Sequence, residues 1–342
     1  MKSLLSVLFC LCMALGAAPT AAKAEANCAK PSKPVVSLKF GSRYKDGDPS
    51  RSDVDKVSNA QVNKALAPVE KFIRTLAKSA NKAVARGGDV DYADCVVISL
   101  AHWAKADALS EMKSFTANLS VGSRLAAFGM VYSQVRGYSQ REDDKALIEA
   151  WLLRRAKEQM LFWEEDATYG SKRGNLRAWA TLGVNLAAML AEDEVALRWS
   201  AWSATFLQCQ ALADGSLPQE MKRGKYALHY QLHAIAPMVT TTLLLETQGH
   251  SINGVCDNAL RRIVNFALSD LATGEKSQAY SGKVQSYFDG TEELRAFELA
   301  WIEAYLKLYD DPAVDNFAEG LRPFSHSKLG GNQELVWSNG FF

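Results

Sequence analysis

The chain has 342 residues, 48% of them hydrophobic, with 39 Lys+Arg against 38 Asp+Glu and a formal net charge of +1. Near-neutrality excludes bulk nucleic-acid binding and long-range steering of polyanions, so an acidic ligand must be held by a local cluster of cations. Beyond the N-terminal region no stretch is long and uncharged enough for a transmembrane helix.

The N-terminus, MKSLLSVLFCLCMALGAAPTAAKAEA, carries one early lysine, an apolar run from Leu4 to Leu15 and small residues ending at Ala24-Glu25-Ala26. This reads as a secretory signal peptide over 1–26, followed by one domain over 27–342, and predicts a periplasmic protein. Neither Cys10 nor Cys12 has the preceding small residues of a lipoprotein signal. Loss of Lys2, Lys23 and Glu25 leaves 37 basic and 37 acidic residues, a neutral mature chain. Four cysteines remain, Cys28, Cys95, Cys209 and Cys256. In an oxidising compartment they favour two disulfides, with three pairings open. Cys28 with Cys95, pinning the N-terminal arm, is favoured, and Cys209 with Cys256 follows.

After an alternating run at Pro34 to Phe40, the segment Gly41 to Asp55, GSRYKDGDPSRSDVD, reads as a mobile basic loop. Its Arg43 and Tyr44 could close over an acidic ligand, although the bland reading is an ordinary solvated loop. From Asn59, apolar residues recur at three and four: Val62, Leu66, Val69, Phe72, Ile73 and Leu76 predict a helix with lysines on its outer face. Similar patterns run through Ala93 to Ala108, Leu125 to Tyr138, Lys145 to Glu164, Arg177 to Ala191, Glu194 to Leu212, Gln219 to Glu246, Cys256 to Leu271 and Thr291 to Leu308. Many helix pairs with short connections and no fixed repeat predict an all-α fold, a single helical toroid rather than a regular solenoid.

Gly174-Asn175-Leu176-Arg177-Ala178-Trp179 opens one of these helices, with Asn175 where an N-cap is expected. Lys172 and Arg173 make that entrance electropositive, so an anion could dock there. Trp179 could stack under a sugar ring or fill core. The segment DGSLPQEMKRGKYALHYQLHAIA, Asp214 to Ala236, sets Arg223 and Tyr230 seven residues apart, two turns of a continuous helix and one face of it. An arginine fork and a phenol aimed at one point can grip a carboxylate and exchange a proton beside it. Tyr226, one turn from both, either lines the same groove or packs. His229 and His233, four apart, lack the third ligand of a metal site. Trp199, Trp202 and Phe206 read as a core stripe, and Asp214 with Glu220 as turn and helix-start residues rather than a glycosidase pair.

The DGSLPQE, Lys-Arg and Arg-x6-Tyr pattern, with GNLRAW in register, resembles the alginate lyases of polysaccharide lyase family 5 over essentially the whole mature chain. The Cys28 to Cys95 spacing agrees. The resemblance implies an (α/α) toroid, an incomplete (α/α) barrel with a deep groove, in which a mannuronate- or glucuronate-containing acidic polysaccharide is cut by β-elimination. By position, Asn175 and Arg223 bind the uronate carboxylate and Tyr230 is base and acid, while Trp179, Arg43 and Tyr44 hold the sugar. It implies neither cofactor nor metal, an acidic polysaccharide as partner, no nucleic acid, no membrane insertion, and a monomer. One position departs: the family's histidine falls on Leu176, which can neither hydrogen-bond a carboxylate nor accept a proton. Arg177 and His229 are the nearby candidates to replace it. A catalytically impaired relative that binds acidic exopolysaccharide during synthesis or export is the alternative.

Overall fold

The computed structural model describes residues 28–338, so the signal-peptide segment 1–26 lies outside the described residues. Thirteen helical segments of α type are seen among these residues. They are α1 (Lys56–Ala85), α2 (Val90–Lys105), α3 (Phe115–Arg136), α4 (Glu142–Leu161), α5 (Asn175–Ala191), α6 (Glu194–Gln208) and α7 (Pro218–Met221), then α8 (Ala227–Thr247), α9 (Val255–Asp270), α10 (Glu275–Ser281), α11 (Ile302–Leu308), α12 (Pro312–Glu319) and α13 (Gln333–Ser338). They form an incomplete (α/α) toroid. Two strand pairs decorate it: β1 (Ser37–Leu38) runs parallel to β2 (Glu111–Met112), and β3 (Ser325–His326) antiparallel to β4 (Gly331–Asn332).

Local chemistry explains where the helices start. Asp55, Asp89, Ser114 and Asp193 each turn a side-chain oxygen to a backbone N–H of the following first turn, at α1, α2, α3 and α6. Each such cap contributes about 1 kcal/mol. The Ser114 cap starts α3 ten residues before the apolar pattern that predicts it, because α3 is buried on nearly every side and shows no clean polar face.

Two interior layers hold the ring together. One packs α1 to α4 through Phe72, stacked on Trp103 with centroids 4.2 Å apart, and Phe128 beside them. The other packs α5, α8, α9 and α11. α3 and α5 cross at close range because Gly122 and Gly183 face each other: a Cβ on Gly122 would lie 2.5 Å from the Ala180 Cα. That contact fixes the N-terminal end of α5 beside the first turn of α8, which itself packs on α5.

Two expectations are corrected here. The segment from Gln219 to Glu246 is not one helix: α7 ends at Met221, a 3-10 turn covers Gly224–Tyr226, and α8 begins at Ala227. Trp202 is not core either, being 49% exposed. Both disulfides form as favoured, Cys28–Cys95 and Cys209–Cys256. Among the described residues no helix is long and apolar enough to cross a membrane.

Candidate active site

Arg223 and Tyr230 meet without one continuous α-helix carrying both. The chain leaves α7 at Lys222 and turns through Gly224 at φ +54°, bringing the Arg223 guanidinium 3.6 Å from the centroid of the Tyr230 ring in the first turn of α8. Both line a groove of about 270 Å³ together with Asn175 and Leu176 at the start of α5.

Asn175 is the first residue of α5 rather than its cap; Gly174 takes that position. The capping is done by Glu220 of α7, whose carboxylate accepts from the Asn175 backbone N–H at 2.7 Å and its side-chain Nδ2 at 2.8 Å. Asn175 Oδ1 is buried without a partner. Glu220 is itself 1% exposed, and burial raises its pKa against the pull of Arg223 and Asn175. Asp214 bonds instead to Ser216 and Tyr280, so the two acids have separate partners.

The segment 41–55 is an ordered flap. Tyr44 bridges to Val54, Lys45 N–H donates to Asp53 O, and Asp55 N–H donates to Arg43 O. From it Tyr44 reaches the groove, where its hydroxyl pairs with that of Tyr230 and accepts from Arg223 Nη2 at 3.0 Å. Arg223 also donates to the Ser50 and Arg51 carbonyls. Arg43 lines the groove and donates to Asn59 and Asn63.

Burial raises the Tyr230 pKa; Arg223 opposes the shift and Tyr44 reinforces it. Burial pulls Arg223 down, but the Tyr230 and Tyr44 phenols and Glu220 leave it raised, a fixed cation.

Three ionisable side chains that sequence reasoning did not assign to the groove line it: Arg124, Lys328 and His233. Arg124 of α3 pairs with Glu70 of α1, and Lys328, beyond β3, lies 3.6 Å from the same carboxylate. Burial pushes Glu70 up, but Arg124 and Lys328 outweigh it and hold the carboxyl low. Lys328 is lowered to about 8 by burial and by Arg124, despite Glu70. His233, one turn beyond Tyr230, is held well below its usual pKa by burial and by neighbouring cationic groups. Its Nδ1 accepts from Trp179 Nε1 at 3.1 Å, which puts the proton of the neutral ring on Nε2. The three-residue spacing from Tyr230 was a usable signal for His233; Arg124 and Lys328 arrive by long-range packing.

The remaining expected residues lie elsewhere. His229 turns away, its Nδ1 3.2 Å from Glu292 and 3.4 Å from Glu298. Arg177 is buried on another face, donating to Ser203 and Glu164. Lys172 donates to the Glu164 carbonyl, and Arg173 lies on the Tyr169 ring. Trp179 is 1% exposed between His233 and His326, so no sugar can stack on it. Tyr226 lines a neighbouring cleft with Lys225 and Lys283. Among the described residues no group of three or more His, Cys, Asp or Glu could hold a metal ion.

The groove thus gathers guanidinium and ammonium groups on its lining, with two carboxylates behind it, Glu70 neutralised by Arg124 and Lys328 and Glu220 buried under Asn175. Such a site suits an anion beside a group that exchanges protons.

Comparison with known proteins agrees. The family model described as Alginate lyase matches residues 18–278. A polysaccharide lyase from Stenotrophomonas maltophilia is 30% identical over 303 residues, covering 86% of each chain. An alginate lyase from Cobetia marina is 27% identical over 329 residues, 93% of this chain and 85% of the relative. The crystal structure of alginate lyase A1-III from Sphingomonas species A1 superimposes with a TM-score of 0.74 at 20% identity, covering 92% of this chain and 87% of that one. Fold and similarity together define a polysaccharide lyase of the helical-toroid class. The chain belongs to the alginate lyase family.

Proposed function

We propose that this lyase cleaves a uronate-containing polymer, mannuronate blocks of alginate first and glucuronate polymers second, by β-elimination, with Tyr230 as base and acid. The observation that supports this most is the Arg223 cation lying against the Tyr230 ring, 3.6 Å from its centroid, in a groove that also holds Asn175.

The C5 proton of a uronate is only weakly acidic while its carboxylate carries full charge. Donors on that carboxylate spread the charge that develops as the proton leaves. Arg223 supplies a fixed cation and His233 Nε2–H a neutral donor, which takes over what Leu176 cannot give. Asn175, clamped by Glu220, keeps a second amide proton for the same oxygens. Tyr230 takes the C5 proton, the electron pair forms the C4=C5 double bond, the C4–O bond breaks, and the leaving oxygen recovers the proton from Tyr230. Substrate that displaces Tyr44 removes one contributor to the raised Tyr230 pKa and leaves Arg223, which favours the phenolate.

Export to the periplasm through residues 1–26 and a single domain over 27–342 complete the reading, and two disulfides support an oxidising destination. A non-catalytic binder of acidic polysaccharide is the second reading, favoured by the one observation that Leu176 lines the groove.

Incubating the mature protein with polymannuronate, polyguluronate and a glucuronate polymer, while following ultraviolet absorbance of the unsaturated product, tests both. Product that disappears in Tyr230→Phe is the expected result. Binding without product from every polymer sinks the lyase reading in favour of the binder.

A further inference from the structure

On the far side of Lys328 the protein opens a second cleft, of about 460 Å³, between α1 and the β3–β4 hairpin. Lys328 lines both this cleft and the groove over Tyr230, so the two adjoin at that side chain, with Glu70 on the cleft side of it. We propose that the second cleft is a distal subsite that holds a further uronate residue of the same chain whose scission occurs at Tyr230. This rests on the lyase reading above.

The lining has the chemistry of an acidic sugar. Arg74 and Lys78, one turn apart on α1, stand exposed along one wall and present two cations to a carboxylate. Phe297 supplies a half-exposed ring on the opposite wall, with its centroid 5.5 Å from that of His326 and the Arg295 guanidinium 4.6 Å above it. An aromatic face beside guanidinium and ammonium groups matches the apolar face and the acid of a uronate ring.

Packed rings form the wall between the two clefts. Rings pass from Tyr230 to His233, Trp179, His326 and Phe297 with successive centroid separations of 6.2, 5.6, 5.7 and 5.5 Å. His326 is lowered to about 3 by burial and by Lys328, so this file carries no charge of its own at neutral pH. The cations that meet the polymer are those of the rim, at fixed distance from the reacting tyrosine.

The test compares kcat/KM over a ladder of oligomannuronates, from trisaccharide to polymer, in the parent, in Arg74→Ala/Lys78→Ala and in Phe297→Ala. All three side chains are exposed enough that their removal leaves the fold intact. The preference for long chains over the trisaccharide is expected to fall about tenfold in the double variant, the loss of one charge-assisted contact. An unchanged preference in both variants overturns the subsite. Calorimetry with the same ladder on a Tyr230→Phe background reads affinity without turnover. Length-dependent binding that needs Arg74 and Lys78, where the parent protein itself cuts none of the polymers, upholds the subsite while overturning the lyase reading. Equal affinity for all lengths in an active enzyme does the reverse.

Discussion

The carboxylate of Glu220 accepts from both the backbone N–H and the side-chain amide of Asn175, at 2.7 and 2.8 Å. One buried acid therefore caps α5 and holds the side-chain amide of a residue that lines the groove.

Glu220→Gln breaks that double role, since an amide side chain offers one acceptor oxygen where the carboxylate offers two. Leaving one buried donor unsatisfied costs roughly 1–3 kcal/mol of stability. If Glu220 also positions Asn175, kcat falls while KM stays close to the parent's. Steady-state kinetics beside a thermal melt separate the two effects, and an unchanged kcat in a destabilised variant would reduce Glu220 to a cap.

His233→Ala removes the neutral imidazole donor one turn from Tyr230. The expected loss in kcat is about 10²- to 10³-fold, the usual cost of one preorganised donor. His229→Ala, on the face toward Glu292 and Glu298, is expected to change kcat far less. The reverse ranking of the two variants would return the missing role to His229.

The pH profile has two limbs of opposite origin. Tyr230 must lose its proton to act as base, and burial raises its pKa, so kcat climbs as pH rises through neutrality. Lys328, lowered to about 8, is charged below that pH and neutral above it. A polyanionic substrate therefore loses a partner as pH passes 8, and KM rises there. Lys328→Arg keeps its charge across this range and should abolish the rise. A KM that still climbs near pH 8 in Lys328→Arg would assign the limb to another group.

The Cys28–Cys95 disulfide ties the N-terminal arm to α2 across 67 residues. Restricting an unfolded loop of that length is worth roughly 4 kcal/mol in the chain-entropy description. Cys28→Ser/Cys95→Ser should lose stability on that scale in urea unfolding. A loss below roughly 1 kcal/mol would mean that the arm contributes little constraint.

What was legible in the sequence divides along physical lines. The three-and-four spacing of Val62, Leu66, Val69, Phe72 and Ile73 reports burial of one α1 face, and all five are buried. Local rules read such faces well because they act over one or two turns. The same rules extended a helix across Lys222 to Tyr226, where Gly224 instead takes a positive φ beside Ser52 of the flap. Arg223 and Tyr230 converge nonetheless, by a turn rather than by periodicity. Arg177 and His229 illustrate the opposite failure. Each is adjacent in sequence to a groove residue, yet a step of one residue on a helix rotates the side chain by about 100°, away from the groove. Arg124 and Lys328 gave no local signal, since their meeting at Glu70 is set by packing between α1, α3 and the C-terminal hairpin.

The flap that carries Tyr44 has an internal network of its own. The Asp48 carboxylate accepts from the backbone of Ser50, Ser52 and Asp53, and the stem is tied by the Lys45–Asp53 and Arg43–Asp55 backbone pairs. None of these has to break for the flap to swing out; the cost falls on its contacts with Tyr230 and Arg223 and on the bonds of Arg43 to Asn59 and Asn63 of α1. The expected opening is a single concerted swing about the two ends of the segment rather than a gradual fraying. A fluorophore on the flap should relax in one exponential phase, at a rate that sets how often the empty enzyme can admit a chain.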